Sequence, residues 1–266
     1  MKTLGNIFVF LIFQLSRVLF SYKFFLLLIL SGTLCHSQPL NSEPRKDLNV
    51  LYRNEASGSA FIHSRGIGIN FRRAFHVTGE KKRILEAEVC TMHDLKEVKV
   101  SMNENSKGYY YGKLNSLIVF RPGFGRQIVV FKRSERRSVE IRYSTLVGGS
   151  LCFAKPVYLD ILHNNQGSEP MPLSTEQYDP ELHNQTNIYG RANFLTGINK
   201  TKIYPGGYAK FSLSCEFGDD YSDVKAIEIG AVADIYPFPV PLMAYNKKNP
   251  YFITLYAGLV IGKKWY

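Results

Sequence analysis

The 266-residue chain is short of the residues that most often announce a chemistry. Of its four cysteines, the three beyond residue 37 (Cys90, Cys152 and Cys215) each fall inside a strand-like run, and no Cys-x-x-Cys spacing occurs. That excludes a disulfide-stapled scaffold, which would place an even set of cysteines in loops. The six histidines are scattered with no pair at a ligand spacing, so neither a metal nor another cofactor is expected. No apolar run reaches the roughly 18 uncharged residues of a spanning helix. The formal charge of +11 comes without a basic stripe interleaved with base-stacking aromatics. Its clusters are short: Lys81-Lys82-Arg83, Lys132-Arg133 with Arg136-Arg137, and Lys247-Lys248. They read as solvated turn charges, or as contacts to anionic lipid head groups or a periplasmic polymer, and no nucleic-acid partner is expected.

Acidic residues are also missing from positions 1–37, where two apolar cores, Ile7 to Leu15 and Phe24 to Leu34, are divided by Arg17 and Lys23. This is the pattern of an export leader, ending at Cys35-His36-Ser37 before Gln38. The double core makes the leader long, or places the true start downstream. Its removal takes three basic residues and no acid, leaving 30 minus 22, or +8. Residues 38–56 read as a flexible, polar start, and 57–266 as the folded unit.

What the chain has in quantity is alternation. In Gly207 to Tyr236, residues Ala209, Phe211, Leu213, Cys215 and Phe217 share one phase, and Ile227, Ile229, Ala231, Ala233 and Ile235 repeat it after a turn. The opposite phases are small or charged, as the two-residue period of a strand requires. Val139 to Phe153 keeps its phase for about 15 residues, longer than the ~5–6 of an ordinary soluble strand and enough for the ~9–11 of a tilted membrane strand. The last run, Phe252 to Trp265, carries Ile253, Leu255, Ala257, Leu259 and Ile261 on one side. Leu117 to Phe131 is strand material, with a bulge or bend expected at Arg121-Pro122-Gly123. Gly149 and Gly230 are expected to be packing or bend sites.

Connections then decide between a soluble β-sandwich and a membrane barrel. Counting back from the C-terminus, they are long at 237–250, short at 218–223, very long at 164–206, short at 132–138, long at 93–111 and short at 76–82. Barrels of bacterial outer membranes have short periplasmic turns, longer outer loops and an even strand number. The parity closes if the Ala60 region is two strands joined at His63-Ser64-Arg65-Gly66, which predicts an all-β, antiparallel transmembrane barrel of about eight strands. Asn184-Gln185-Thr186 and Asn199-Lys200-Thr201 indicate only that the longest loop is exposed.

The runs Tyr110-Tyr111-Gly112-Lys113-Leu114-Asn115, Arg121-Pro122-Gly123-Phe124-Gly125-Arg126, Ala154-Lys155-Pro156-Val157-Tyr158 and Ile188-Tyr189-Gly190-Arg191, with the close Gly262-Lys263-Lys264-Trp265, resemble a group of small outer-membrane β-barrel proteins of the Bacteroidetes lineage. The resemblance implies a bacterial outer-membrane location. It also implies insertion by the barrel-assembly machinery, which would recognise the C-terminal strand by its aromatic end, Trp265-Tyr266. It carries no catalytic residues.

In such a barrel the apolar phases face lipid. Glu86, Glu88, Glu140, Arg142, Lys210, Glu216, Glu228 and Asp234 face the lumen, where opposite charges must pair. An eight-stranded lumen is just wide enough to be filled by side chains. The expected function is therefore structural or loop-mediated binding of an unknown extracellular or periplasmic partner, alongside contact with outer-membrane lipid. The alternatives are a narrow pore, a lipid-modifying enzyme built on His63-Ser64 or on His183 with Asp179, and a secreted β-sandwich.

Overall fold

The structure is a computed structural model that describes residues 53–101, 106–132, 139–163, 173–217, 222–246 and 249–266. The expected leader, most of the segment expected to be flexible, and the Arg133–Arg137 and Lys247-Lys248 clusters lie outside the described residues. Strand β1 (Asn54–His63) begins three residues before the expected boundary at 57.

Thirteen strands follow in chain order among the described residues: β1, β2 (Gly66–His76), β3 (Lys81–Met92), β4 (Lys99–Val100), β5 (Tyr109–Tyr110), β6 (Asn115–Phe131), β7 (Glu140–Pro156), β8 (Tyr158–Leu162), β9 (Leu173–Gln177), β10 (Ile188–Arg191), β11 (Lys202–Phe217), β12 (Asp223–Ile235) and β13 (Tyr251–Trp265). Eight of them close a ring in the order β1-β13-β12-β11-β7-β6-β3-β2, with every neighbouring pair antiparallel. A single closed ring overturns the sandwich alternative, which would need two packed sheets. The Ala60 region is two strands joined through Ser64-Arg65, as the parity requires.

Alternation sets which residues see the interior. On β12 the buried phase is Val224, Ala226, Glu228, Val232 and Asp234, and Ile227, Ile229 and Ile235 point out. The same inversion runs round the ring: Ile62, Ile69, Phe71, Leu85, Phe124, Phe211, Leu255 and Leu259 are all exposed. Charged residues bound this belt at the end that carries the C-terminus, where Arg73, Arg83, Arg126, Lys225 and Lys263 are exposed. From Arg126 to Ser116 on β6 is about 34 Å of strand, or about 26 Å of height at a tilt near 40°. That matches the ~25 Å apolar band of an outer-membrane barrel.

Connections at the C-terminal end are short, at 77–80, 132–139 and 218–222; those at the opposite, upper end are 64–65, 93–114, 157–201 and 236–250. Two expectations are corrected. Segment 164–206 is not wholly irregular: β8 pairs with both β9 and β10, and β11 begins at Lys202. Residues Lys202–Gly206 pair with β7 alone, since the β12 register starts at Gly207. A strand edge of that kind tolerates Pro205, which has no N–H to pair. Nor does β6 change register at Arg121-Pro122-Gly123; its irregularity falls between Val129 and Phe131.

A cation placed in the belt tests this arrangement. Ile229→Arg should lower folding stability by about 2–4 kcal/mol in bilayers, the cost of a cation near the midplane of a lipid-facing strand. A urea titration of the vesicle-inserted protein measures it, and an unchanged midpoint would place Ile229 away from lipid.

Candidate functional site

Inward-facing polar residues recur at the same phase on facing strands, so closing the ring brings together charges from β1, β2, β3, β6, β7, β11, β12 and β13. Seven carboxylates (Glu55, Glu86, Glu88, Glu140, Glu216, Glu228, Asp234) meet six cations (Arg72, Lys82, Arg121, Arg142, Lys210, Lys264) among the described residues. The count is balanced to within one charge, so the lumen carries almost none of the chain's positive excess.

Nearest the C-terminal end, Arg142 reaches Glu55, Glu140 and Glu216. Lys82 donates to Glu55 at 2.5 Å and Lys264 to Glu216 at 2.6 Å. In the middle, Arg72 spans the lumen from Glu86 (2.8 Å) to both oxygens of Glu228 (2.7 and 2.9 Å), and Lys210 joins Glu86 to Glu88 (2.6 and 2.7 Å). The Tyr256 hydroxyl donates to Glu228 at 2.7 Å, and its ring lies 4.8 Å from Lys210 Nζ. Above them Arg121 forks onto Asp234 (2.9 and 2.6 Å) and also reaches Glu88 and Cys90. Bidentate pairing of this kind satisfies several donors at once, which an ion pair removed from water requires.

All eight residues singled out by alternation lie in this network, seven of them buried and Glu140 half-buried. Residues 55, 72, 82, 121 and 264 were missed. Glu55 lies in the segment read as flexible. Arg72 shares the inward phase of Asn70 and Ala74, a signal that the neighbouring Arg73 obscured. Arg121 shares its phase with Leu117 and Val119, so its strand appeared apolar on both faces.

Above the charges the lumen is hydrophobic. Phe61, Tyr208, Tyr236, Phe252 and Tyr256 pack with Val240 and Leu242, which the 236–250 connection lays across the mouth. Gly230 makes room for one of these rings, since a Cβ there would stand 2.7 Å from the Tyr256 ring. Gly149, by contrast, faces open space.

The upper connections form a cap. Leu114 N donates to Leu242 O at 3.0 Å, Ala244 N to Gly112 O at 2.8 Å, and Asn115 Nδ2 to Pro241 O at 2.7 Å. A second core of Tyr109, Leu159, Ile161, Tyr178 and Ile188 holds the β8–β10 sheet to the 93–114 connection. Glu97 is one of its polar ties, accepting from Lys113 Nζ at 2.7 Å and from Asp94 N at 3.0 Å beside His93.

The residues proposed for nucleophilic catalysis do not assemble. His63 faces the lumen and Ser64 is exposed, and His63 Nδ1 accepts the Arg65 backbone N–H at 3.3 Å. His183 Nδ1 accepts the backbone N–H of Asp179, and its Nε2 lies 3.3 Å from Glu176 rather than beside a nucleophile.

Two measurements probe these charges. Arg121→Ala leaves Glu88 and Asp234 buried without their shared partner and should cost about 3–5 kcal/mol, read as a lower urea midpoint. At Glu97, burial alone would raise the carboxyl's pKa, but hydrogen bonds from His93, Lys113 and the Asp94 backbone outweigh it and hold the group below its ordinary value. A depressed folded pKa contributes stability above the unfolded value of about 4.3, and loses it as pH falls through the folded one. Protection against hydrogen exchange in the 93–114 connection, taken relative to the intrinsic rate at each pH, should therefore fall between pH 6 and pH 3 more in the native chain than in Glu97→Gln.

No protein-family model matches the chain, and no curated protein matches it in sequence. Among solved structures, Ail, the attachment invasion locus protein of Yersinia pestis, is 8% identical with a TM-score of 0.39, the match covering 81% of this chain and 100% of Ail. Neisserial surface protein A is 6% identical at a TM-score of 0.37, covering 80% and 96%. The N-terminal β-barrel domain of Pseudomonas aeruginosa OprF is 10% identical at 0.33, covering 81% and 100%.

Proposed function

We propose that the chain is an integral outer-membrane β-barrel of a Gram-negative cell, with a filled, non-conducting lumen and a cap that binds a partner outside the cell. One observation carries this reading: a closed ring turns its isoleucines, leucines and phenylalanines outward and its paired charges inward. An apolar belt of that size is unstable in water and at rest in lipid. The C-terminal end is periplasmic on this reading, since all the long connections lie at the other end and exposed cations here suit phospholipid head groups. Trp265 and Tyr266, both exposed at the end of β13, serve as the assembly signal. The motif runs around Tyr110, Arg121, Lys155 and Ile188 favour the Bacteroidetes-type group.

The role is structural or loop-mediated, without catalysis. A pore is disfavoured because Val240 and Leu242 close the mouth over the Arg121 and Arg72 ion pairs. The test is electrophoresis of the detergent-extracted outer-membrane fraction with and without boiling, joined to planar-bilayer recording. A heat-dependent mobility shift and no unitary conductance are expected. Recovery in the soluble fraction without a shift would reject the barrel, and regular conductance steps would reject the filled lumen.

A further inference from the structure

On its outer wall, where the apolar belt meets the cap, the barrel carries two adjoining concavities, only one of them lined by cations. The first is a cavity of about 230 Å³ between the rim of β3, β6 and β7 and the overhanging segment after β10. Lys113, Lys155 and Arg191 line it together with Tyr110, Tyr158 and Phe194, and no carboxylate is among its lining residues. The second, about 510 Å³, is an open groove on the lipid-facing side of β13, β1, β2 and β3, walled by Ile62, Ile67, Ile69, Val89 and Leu259 over a floor that includes Gly68 and Gly258. Thr91 lines both.

The cations of the first cavity are only partly answered. Lys113 is neutralised by Glu97. Lys155 is nine-tenths buried, and its Nζ donates to the Phe194 and Thr196 carbonyls at 2.6 and 3.3 Å; among the described residues it meets no carboxylate. Arg191 is exposed at the cavity wall and likewise has no carboxylate partner among them. Two uncompensated positive charges beside aromatic faces, at the height where Thr91, Ser116 and Lys155 end the apolar phases of their strands, call for an anion. The groove below calls for a hydrocarbon chain, because its walls are branched aliphatic side chains and it opens to the acyl region.

We infer that these two concavities are one site for an anionic lipid of the outer leaflet, its charged head group held by Lys155 and Arg191 and an acyl chain laid along the groove past Thr91. This deepens the membrane-barrel reading and rests on it. The occupant is an amphiphile rather than a free anion because the apolar groove and the basic cavity meet at Thr91. The cap would then be pinned to the leaflet on the side where the 193–196 segment folds over the wall.

The full chain is tested in nanodiscs containing phosphatidylglycerol and phosphatidylcholine, followed by mild delipidation and native mass spectrometry of retained lipid. The native chain should keep phosphatidylglycerol in preference to phosphatidylcholine. Arg191→Gln removes an exposed charge without touching the segment that Lys155 holds, and Ala257→Phe fills the groove far from any cation. Each should lower phosphatidylglycerol retention about tenfold, the usual consequence of losing one good contact. Millimolar glycerol 3-phosphate should not displace the lipid. Equal retention of the two lipids, unchanged retention in both variants, or ready displacement by glycerol 3-phosphate would each overturn the proposal. The boiled and unboiled mobility of every sample is read alongside: a native heat shift with no lipid preference defeats the lipid site alone, whereas no shift in the native chain defeats the membrane reading beneath it.

Discussion

The constraint on which the rest of this molecule depends is that its interior charges must pair. A ring of eight strands encloses too little space for bulk water, and ions removed from water cost several kcal/mol each unless opposite charges and hydrogen bonds replace their hydration. The chain meets that demand with bridging groups rather than isolated pairs. Arg72 is held by Glu86 from β3 and by Glu228 from β12, on different sides of the ring, and Arg121 joins Glu88 to Asp234 in the same way. These bridges cross the lumen. They specify register, because sliding β12 by one residue would turn Glu228 and Asp234 into lipid and bring Ile227 and Ile229 inside.

From that requirement follows the division of the interior into a charged lower part and an apolar upper one. Where the upper connections can cover the lumen, Val240, Leu242, Phe252 and Tyr236 complete the filling without further ions. Lower down, long Arg, Lys and Glu side chains fill the space themselves. The same logic assigns the surplus charge. With the lumen near neutrality, the positive excess of the described residues lies outside it, in part on Arg73, Arg83, Arg126, Lys225 and Lys263 at one border of the belt and on Lys155 and Arg191 at the other. Both are places where a cation can extend to head groups while its stem stays against apolar surface.

Much of this was legible in the chain because a barrel strand repeats one rule over many residues. Phase alone assigned Glu228 and Asp234 to one side of β12 and Ile227 and Ile229 to the other, and loop parity gave the strand number once Ser64-Arg65 was taken as a turn. The rule fails where it is asked for more than phase. Arg121 follows two inward apolar residues, Leu117 and Val119, so its strand lost the contrast that marks a lumen-facing charge. The start of β11 at Lys202, inside the segment read as a connection, rests on an edge that tolerates Pro205, a property of the neighbouring strand. Which carboxylate meets which cation is likewise beyond pattern: Arg72 and Glu228 are brought together only by closure of the ring.

The cap shows why closure and surface chemistry are linked. Its second core, around Tyr109, Leu159 and Ile188, is too small to hold three connections in place on its own. It is held by being sewn to the barrel rim: the 93–114 and 236–250 connections exchange backbone hydrogen bonds, and Lys155, at the upper end of β7, clasps the carbonyls of Phe194 and Thr196. Carbonyl oxygens solvate an ammonium without supplying the opposite charge that would cancel it. The clasp that fixes the cap therefore also leaves a fixed positive charge beside the lipid-facing wall. Structural anchoring and a basic surface at head-group height are, at this rim, two consequences of one side chain.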